Sequence, residues 1–213
     1  MTIATRLPAA ERRLALVDTA IRVFAEGSYR GTTTAEIARE AGVSEPILYR
    51  HFASKRDLYF ACIDASWDRL RAAWDRAIEE AESSNEFLPA MSGCYVSIRD
   101  AKHRVAELWM QATVEAADDP EVRKFLRRQL REVREYVADV IRRCQAEGAV
   151  LPERDPEAEA WMFVAGGLLG TMGRRLGGLL GEEDFKAIRA SRTEWMTGRS
   201  PDEISRSRPG IAS

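Results

Sequence analysis

The groups able to do chemistry in this chain of 213 residues crowd into residues 33–57. Thr33, Thr34, Ser44 and Tyr49 bring hydroxyls, Arg50 and Lys55 fixed positive charge, His51 an imidazole and Glu45 a carboxylate. Hydroxyl, amine and guanidinium donors suit binding to phosphate oxygens and polar edges rather than bond breaking. Sets that break bonds are not found. The chain has two histidines, and Asp100-x-x-His103 occurs once, where a di-iron helix bundle needs paired Glu-x-x-His elements. There is no HExxH, no Gly-x-Ser-x-Gly, and no nucleophile with a base and an orienting group. The expectation is a protein without catalytic residues, metal or cofactor, and not an enzyme.

The elements that must position residues 33–57 are two short helices, about Thr34–Glu40 and Glu45–His51, around Ala41-Gly42-Val43-Ser44. Thr33 and Glu36 have the spacing of a capping box. Ile37, Ala38 and Ala41 form a small apolar face, and Gly42 supplies the positive φ that ends the helix and turns the chain. Ser44 caps the second helix, with Pro46 in its first turn where a missing N–H costs little. Ile47 and Leu48 face a core, which leaves Ser44, Glu45, Tyr49 and Arg50 outward. Such a pair of helices can push the second into a DNA major groove, about 12 Å wide.

The run Thr33-Thr34-x-x-Ile37-Ala38-x-x-Ala41-Gly42-Val43-Ser44, continued by Leu48-Tyr49-x-His51-Phe52-x-x-Lys55-x-x-Leu58, resembles the TetR family of transcription regulators. Ala20, Phe24, Gly27 and the Thr-rich entry after Gly31 extend the match over about residues 10–60. The resemblance implies that Glu45–His51 is a recognition helix, with Tyr49 and His51 at positions that touch phosphates or base edges. It implies that Lys55 contacts phosphate, where its charge adds to a helix N-terminus, and that Thr33 and Thr34 donate to phosphate. Base reading falls to Glu45, Pro46 and Arg50. Many family members carry glycine or another small residue where this chain has Pro46, so the pattern of base contacts departs from the usual one.

Beyond this segment the sequence reads as helices throughout, about nine in all, giving an all-α fold. A helix from Glu11 to Glu26 stops at Gly27; another follows Ser54; Glu82–Glu86 reads as a loop. Val122, Phe125, Leu126, Leu130, Val133, Val137, Val140, Ile141 and Cys144 make the clearest stripe. On its far side, Arg123, Lys124, Arg127, Arg128, Arg131 and Arg134 alternate with Glu132 and Glu135, a solvated, salt-bridged face. Asp155-Pro156-Glu157 opens a helix of roughly twenty residues, and Glu182–Met196 forms the last. Gly166, Gly170, Gly173 and Gly177 recur at steps of four, three and four. Each glycine inside a helix costs roughly 0.5–1 kcal/mol against alanine, which argues for a packing purpose. With the family resemblance, that purpose is a symmetric dimer interface; a kinked helix lining a cavity is the other reading.

The domain expectation is 1–57 for DNA binding, 58–197 for effector binding and dimerisation, and a disordered tail over 198–213. The family resemblance implies an effector pocket lined by some of Trp67, Leu70, Trp74, Tyr95, Ile98, Trp109, Met110, Thr113, Phe125, Gln129, Tyr136, Met162 and Phe163. Most aromatic residues at helical spacing are core. Gln129 is the informative one, because a polar group on an apolar stripe needs a partner. The effector expected is small and largely apolar. The protein expected is a homodimeric repressor on a near-palindromic operator of double-stranded DNA, released by that effector. Activation by the same fold is the alternative, ahead of a helical interaction protein or a helix-bundle enzyme.

Composition is consistent with this. Hydrophobic residues make up 45% and charged residues 31%, as in ordinary globular proteins, and the net charge is -2. Residues 1–60 carry nine bases against seven acids, a local balance of +2 that leaves −4 for the remainder. Cys62, Cys94 and Cys144 are odd in number and widely spaced, which reads as reduced thiols. Met1–Ala10 has no apolar signal core. The longest uncharged run, Ala160–Gly173, is short of the ~18–20 apolar residues of a spanning helix. A cytoplasmic protein without membrane contact is expected.

Overall fold

The structure, a computed structural model, describes residues 8–97, 105–200 and 203, with the side chains of 95–97 outside the description. Among the described residues there are nine α-helices and no strand: α1 (Ala9–Glu26), α2 (Thr34–Glu40), α3 (Glu45–Tyr49), α4 (Lys55–Glu79), α5 (Phe87–Ser97), α6 (Val105–Asp118), α7 (Pro120–Ala146), α8 (Pro156–Arg175) and α9 (Glu182–Thr197). The all-α reading holds. The expected loop at Glu82–Glu86 instead closes into a 3-10 turn at Ser84–Glu86, where Glu86 N–H donates to the Ser83 carbonyl. Buried Phe87 anchors the helix that follows.

Two compact units form. The first contains α1 to α3, α4 as far as Ala73, α6, and α7 as far as Gln129; the second contains the rest of α4 and α7 with α5 as far as Tyr95, α8 and α9. In the first unit, α1 buries Leu16, Val17, Ala20, Ile21 and Phe24. Phe24, Tyr29 and Tyr59 form an aromatic cluster, with Tyr59 4.9 Å from Phe24 and 4.8 Å from Tyr29. The Tyr59 hydroxyl donates to the Leu108 carbonyl of α6 at 2.7 Å. Phe60 stacks flat on Phe125 of α7 at 3.9 Å.

Gly27 does end α1, but its φ is -98°, outside the left-handed region. A Cβ there would meet the Thr32 hydroxyl oxygen at 2.9 Å, so close approach requires the glycine. In the second unit, Asp155 caps α8 by accepting from the N–H groups of Glu157 and Ala158. Glu159 of α8 is buried, pairs with Arg192 of α9, and accepts from the Trp195 indole N–H at 2.8 Å. The stripe on α7 is buried as its periodicity requires, apart from half-buried Leu130. On the opposite face Arg134 pairs with Glu135 at 2.8 Å and with Glu157 at 2.7 Å. The expected tail over 198–213 falls largely outside the described residues.

Candidate nucleic-acid interface

The two short helices pack through small residues. Ile37 and Ala38 of α2 and Leu48 of α3 are buried, and the two helices are in contact. Between them Gly42 takes φ +67°, and Val43 N–H returns to the Ala38 carbonyl at 3.0 Å. The Thr33 hydroxyl accepts from Glu36 N–H at 3.1 Å and caps α2, keeping its own proton on an exposed side chain. Ser44 stands at the cap position of α3 in extended conformation, yet its side chain makes no capping bond. Its carbonyl alone takes the first helical N–H groups, which corrects the expected hydroxyl cap. α3 stops at Tyr49, two residues before the predicted His51, because His51 and Phe52 N–H groups both turn back to the Leu48 carbonyl. That tight turn sends Phe52 into the core.

Thr34 departs from expectation. It is only 7% exposed, and its hydroxyl donates to a Glu45 carboxylate oxygen at 2.5 Å, so it does not face a phosphate. The Tyr49 hydroxyl lies 3.0 Å from the same Thr34 oxygen, while the Tyr49 side chain as a whole stays 46% exposed. Arg50 and Pro46 are exposed, and Arg50 makes no side-chain bond among the described residues. His51 is half-buried beside Phe52. Lys55 opens α4 with its ammonium 4.6 Å over the Tyr29 ring. Burial pulls its pKa below the ordinary lysine value, against the opposing field of Glu115. The N-terminus of α4 is partly occupied from within: Ser54 accepts from Asp57 N–H, and the Asp57 carboxylate accepts from Ala53 N–H, each at 3.0 Å.

The helix-turn-helix is tied to α6 and the α6–α7 corner. Arg30 bridges Glu115 at 2.9 Å and Asp118 at 2.7 Å, Arg56 bridges Asp119 at 3.1 Å, and Gln111 donates to the Phe24 and Gly27 carbonyls. These ties are legible only in the fold, since 85 residues separate Arg30 from Glu115.

The residues expected around an effector divide between the two units. In the first, Trp67, Trp109, Phe125 and Gln129 are buried and Met110 is half-buried. Thr113 is exposed and donates to the Met110 carbonyl at 2.7 Å, so it lines no interior space. Gln129 is only 1% exposed, and among the described residues its amide nitrogen has no partner; the buried Trp109 indole nitrogen and Ser66 hydroxyl likewise have none there. In the second unit Trp74 is buried, donates to the Met91 carbonyl at 3.0 Å, and meets Phe163 edge-on and Tyr136 in a stack, each at 5.8 Å. Met162 is exposed, on the outer side of α8. The Tyr95 side chain, Ile98 and the Asp100-x-x-His103 pair lie outside the described residues.

The glycine ridge also needs correcting. Gly177 lies beyond the end of α8 with φ +74°, and Gly170 and Gly173 are buried, Gly173 against Leu180. Within α8 only Gly166 of the four is exposed. Around it Trp161, Met162, Leu169, Met172 and Leu176 stand exposed at helical spacing, followed by Leu179 and, on α9, Ile188 and Trp195. Large apolar side chains, rather than glycines, make this surface.

Two helices around a glycine turn, the second with its polar face outward, define a helix-turn-helix transcriptional regulator. Residues 16–62 match the family of bacterial regulatory proteins, tetR family, and residues 88–166 match the C-terminal region of BetI-type transcriptional repressors. The chain is 32% identical over 153 residues to the transcriptional regulator BetI of Rhizobium meliloti, covering 71% of this chain and 74% of that protein. It is 39% identical over 85 residues to the transcriptional activator FasR of Mycolicibacterium smegmatis, covering 40% of this chain but only 39% of FasR. The crystal structure of a TetR-family regulator from Rhodococcus sp. superposes with a TM-score of 0.76 at 25% identity, over 88% of this chain and 99% of that one. FadR from Bacillus subtilis, solved in complex with stearoyl-CoA, shares the fold with a TM-score of 0.69 at 17% identity, over 86% of this chain and 97% of its own. The chain belongs to the TetR family. Among the described residues no helix is long and apolar enough to cross a membrane.

Proposed function

We propose that this chain is a homodimeric transcriptional repressor that occupies a near-palindromic DNA operator and leaves it when a small, largely apolar effector binds. The observation that carries the DNA reading is α3, which presents Pro46, Tyr49 and Arg50 to solvent behind the Gly42 turn. Thr33, Ser44, His51 and Lys55 add donors around it for phosphate oxygens. The match of residues 88–166 to BetI-type repressors favours repression over the activation that FasR's name records. Residues 1–57 serve DNA and 58–197 serve effector and dimer in this reading. Its place of work is the cytoplasm, with the DNA, and it has no catalytic role.

The exposed apolar face of α8 and α9 supports the homodimer. Leu176 is 62% exposed and Trp195 51% exposed, and a patch of this kind marks an interaction surface. A two-fold pair places two recognition helices on half-sites one DNA turn apart, roughly 34–36 Å.

Three buried donors support the effector. Ser66 on α4, Trp109 on α6 and Gln129 on α7 are all buried in the first unit. Buried donors without acceptors are costly. An apolar ligand bearing an acceptor oxygen would satisfy them. Stearoyl-CoA, the ligand of FadR, carries such a carbonyl on an alkyl chain.

The test is fluorescence anisotropy of the full chain on duplexes flanking its gene and on duplexes from a random-sequence selection, across a salt series. Nanomolar binding that weakens steeply with salt and falls at least tenfold in Arg50→Ala and Tyr49→Ala is expected. Absence of salt-dependent binding to any duplex would overturn the reading.

A further inference from the structure

Glu45 is an unusual residue to place on a surface that meets phosphate. It has no cation partner among the described residues, and a loose carboxylate there would only repel DNA. The structure holds it instead. Thr34 has one hydroxyl proton, and the Glu45 carboxylate is an acceptor without protons, so the 2.5 Å bond sends the Thr34 proton to Glu45. The Tyr49 hydroxyl, 3.0 Å from the Thr34 oxygen, therefore donates its own proton to Thr34. The chain runs Tyr49 O–H to Thr34 O–H to Glu45, from α3 through buried Thr34 at the start of α2 and back to α3. One carboxylate oxygen is fixed by this relay; the other has no partner among the described residues and stands at the start of the exposed helix.

An acceptor held at that point needs a donor from the major groove. Only the N4 amino group of cytosine and the N6 amino group of adenine offer one. Beside its amino group adenine presents the N7 lone pair, which repels a carboxylate, whereas cytosine presents a neutral C5–H. We propose that Glu45, oriented by Thr34 and Tyr49, specifies one cytosine in each half-site by accepting from its N4 amino group. This inference rests on the DNA-binding reading above. Thr34 and Tyr49 are then positioning residues, with hydroxyl protons spent inside the protein, and phosphate donation falls to Thr33, Ser44, His51 and Lys55.

The experiment is selection of bound duplexes from a random pool by the full-length chain and by Glu45→Gln, Glu45→Ala and Thr34→Val. Affinities are then measured on the selected duplex with each base in turn at the assigned position. The native chain selects cytosine there and prefers it by about 5- to 150-fold, the range of one good base contact. Glu45→Gln switches the position to adenine, because an amide accepts from N6 and donates to N7. Glu45→Ala accepts all four bases nearly equally. Thr34→Val keeps cytosine with a discrimination at least threefold smaller and an unchanged salt slope. A Glu45→Gln protein that selects the native operator unchanged overturns the proposal, as does a native operator with no cytosine that depends on Glu45. If that happens while salt-dependent duplex binding persists, the assignment to Glu45 alone has failed. Loss of all salt-dependent binding by the native chain would remove the DNA reading with it.

Discussion

Replacing Gln111 by leucine isolates the grip of α6 on the first helix. The Gln111 side-chain nitrogen donates to the Phe24 carbonyl at 2.7 Å and to the Gly27 carbonyl at 3.1 Å, both at the end of α1, where helical donors run out. Leucine fills nearly the same volume and donates nothing. Two bonds worth about 1 kcal/mol each are lost, and two partly covered carbonyls add about 1 kcal/mol more. The side-chain oxygen of Gln111 is buried without a partner among the described residues, and removing it returns about 1 kcal/mol. The net cost is about 2 kcal/mol, or roughly 4–8 °C of melting temperature for a chain of this length. Thermal unfolding followed by far-UV circular dichroism reads it directly. A melting temperature within about 1 °C of the native protein would refute the reasoning, because it would mean that water serves these carbonyls as well as Gln111 does.

Gly42→Ala meets no atom within 4 Å at φ +67°, so its cost is conformational, about 1–2 kcal/mol, seen as a lower urea midpoint with unchanged slope. Leu176→Glu combined with Leu179→Glu puts charge into the exposed apolar face and should convert the proposed dimer to monomer in sedimentation; a dimer that survives both places the interface elsewhere. Cys144 is buried with its thiol pushed up to about 11, and Cys62 is fully buried, so iodoacetamide near pH 8 should label half-buried Cys94 first. Labelling of the other two at the rate of Cys94, read by peptide mass spectrometry, would contradict their burial. At Asp119, burial that would raise the pKa is outweighed by bonds from the Val122 and Glu121 N–H groups and from Arg56, so the pKa lies below 3.8. A depressed carboxyl contributes stability above its unfolded pKa and loses it as pH falls through the folded value. The melting difference between native protein and Asp119→Asn should therefore shrink from neutral pH to about pH 3, and a constant difference would refute the assignment.

The helix-turn-helix was legible because its signals are local. The Thr33 cap, the Gly42 turn, Pro46 in a first turn and the apolar pair Ile47–Leu48 act over one or two helical turns, within reach of spacing alone. The stripe on α7 and the Asp155 cap of α8 were legible for the same reason. What tertiary structure decided depends on which surfaces meet. Thr34, a phosphate donor by motif, turned inward because α3 brings Glu45 within 2.5 Å of its hydroxyl. The glycines after Gly166 form a ridge in the sequence, but burial of Gly170 and Gly173 and the end of α8 before Gly177 leave the outward face to Trp161, Leu169 and Leu176. Periodicity places residues on a face; only the packed neighbour decides whether that face is core or surface. The ties of Arg30 to Glu115 and of Gln111 to Phe24 span more than 80 residues, and no local pattern encodes a contact at that distance.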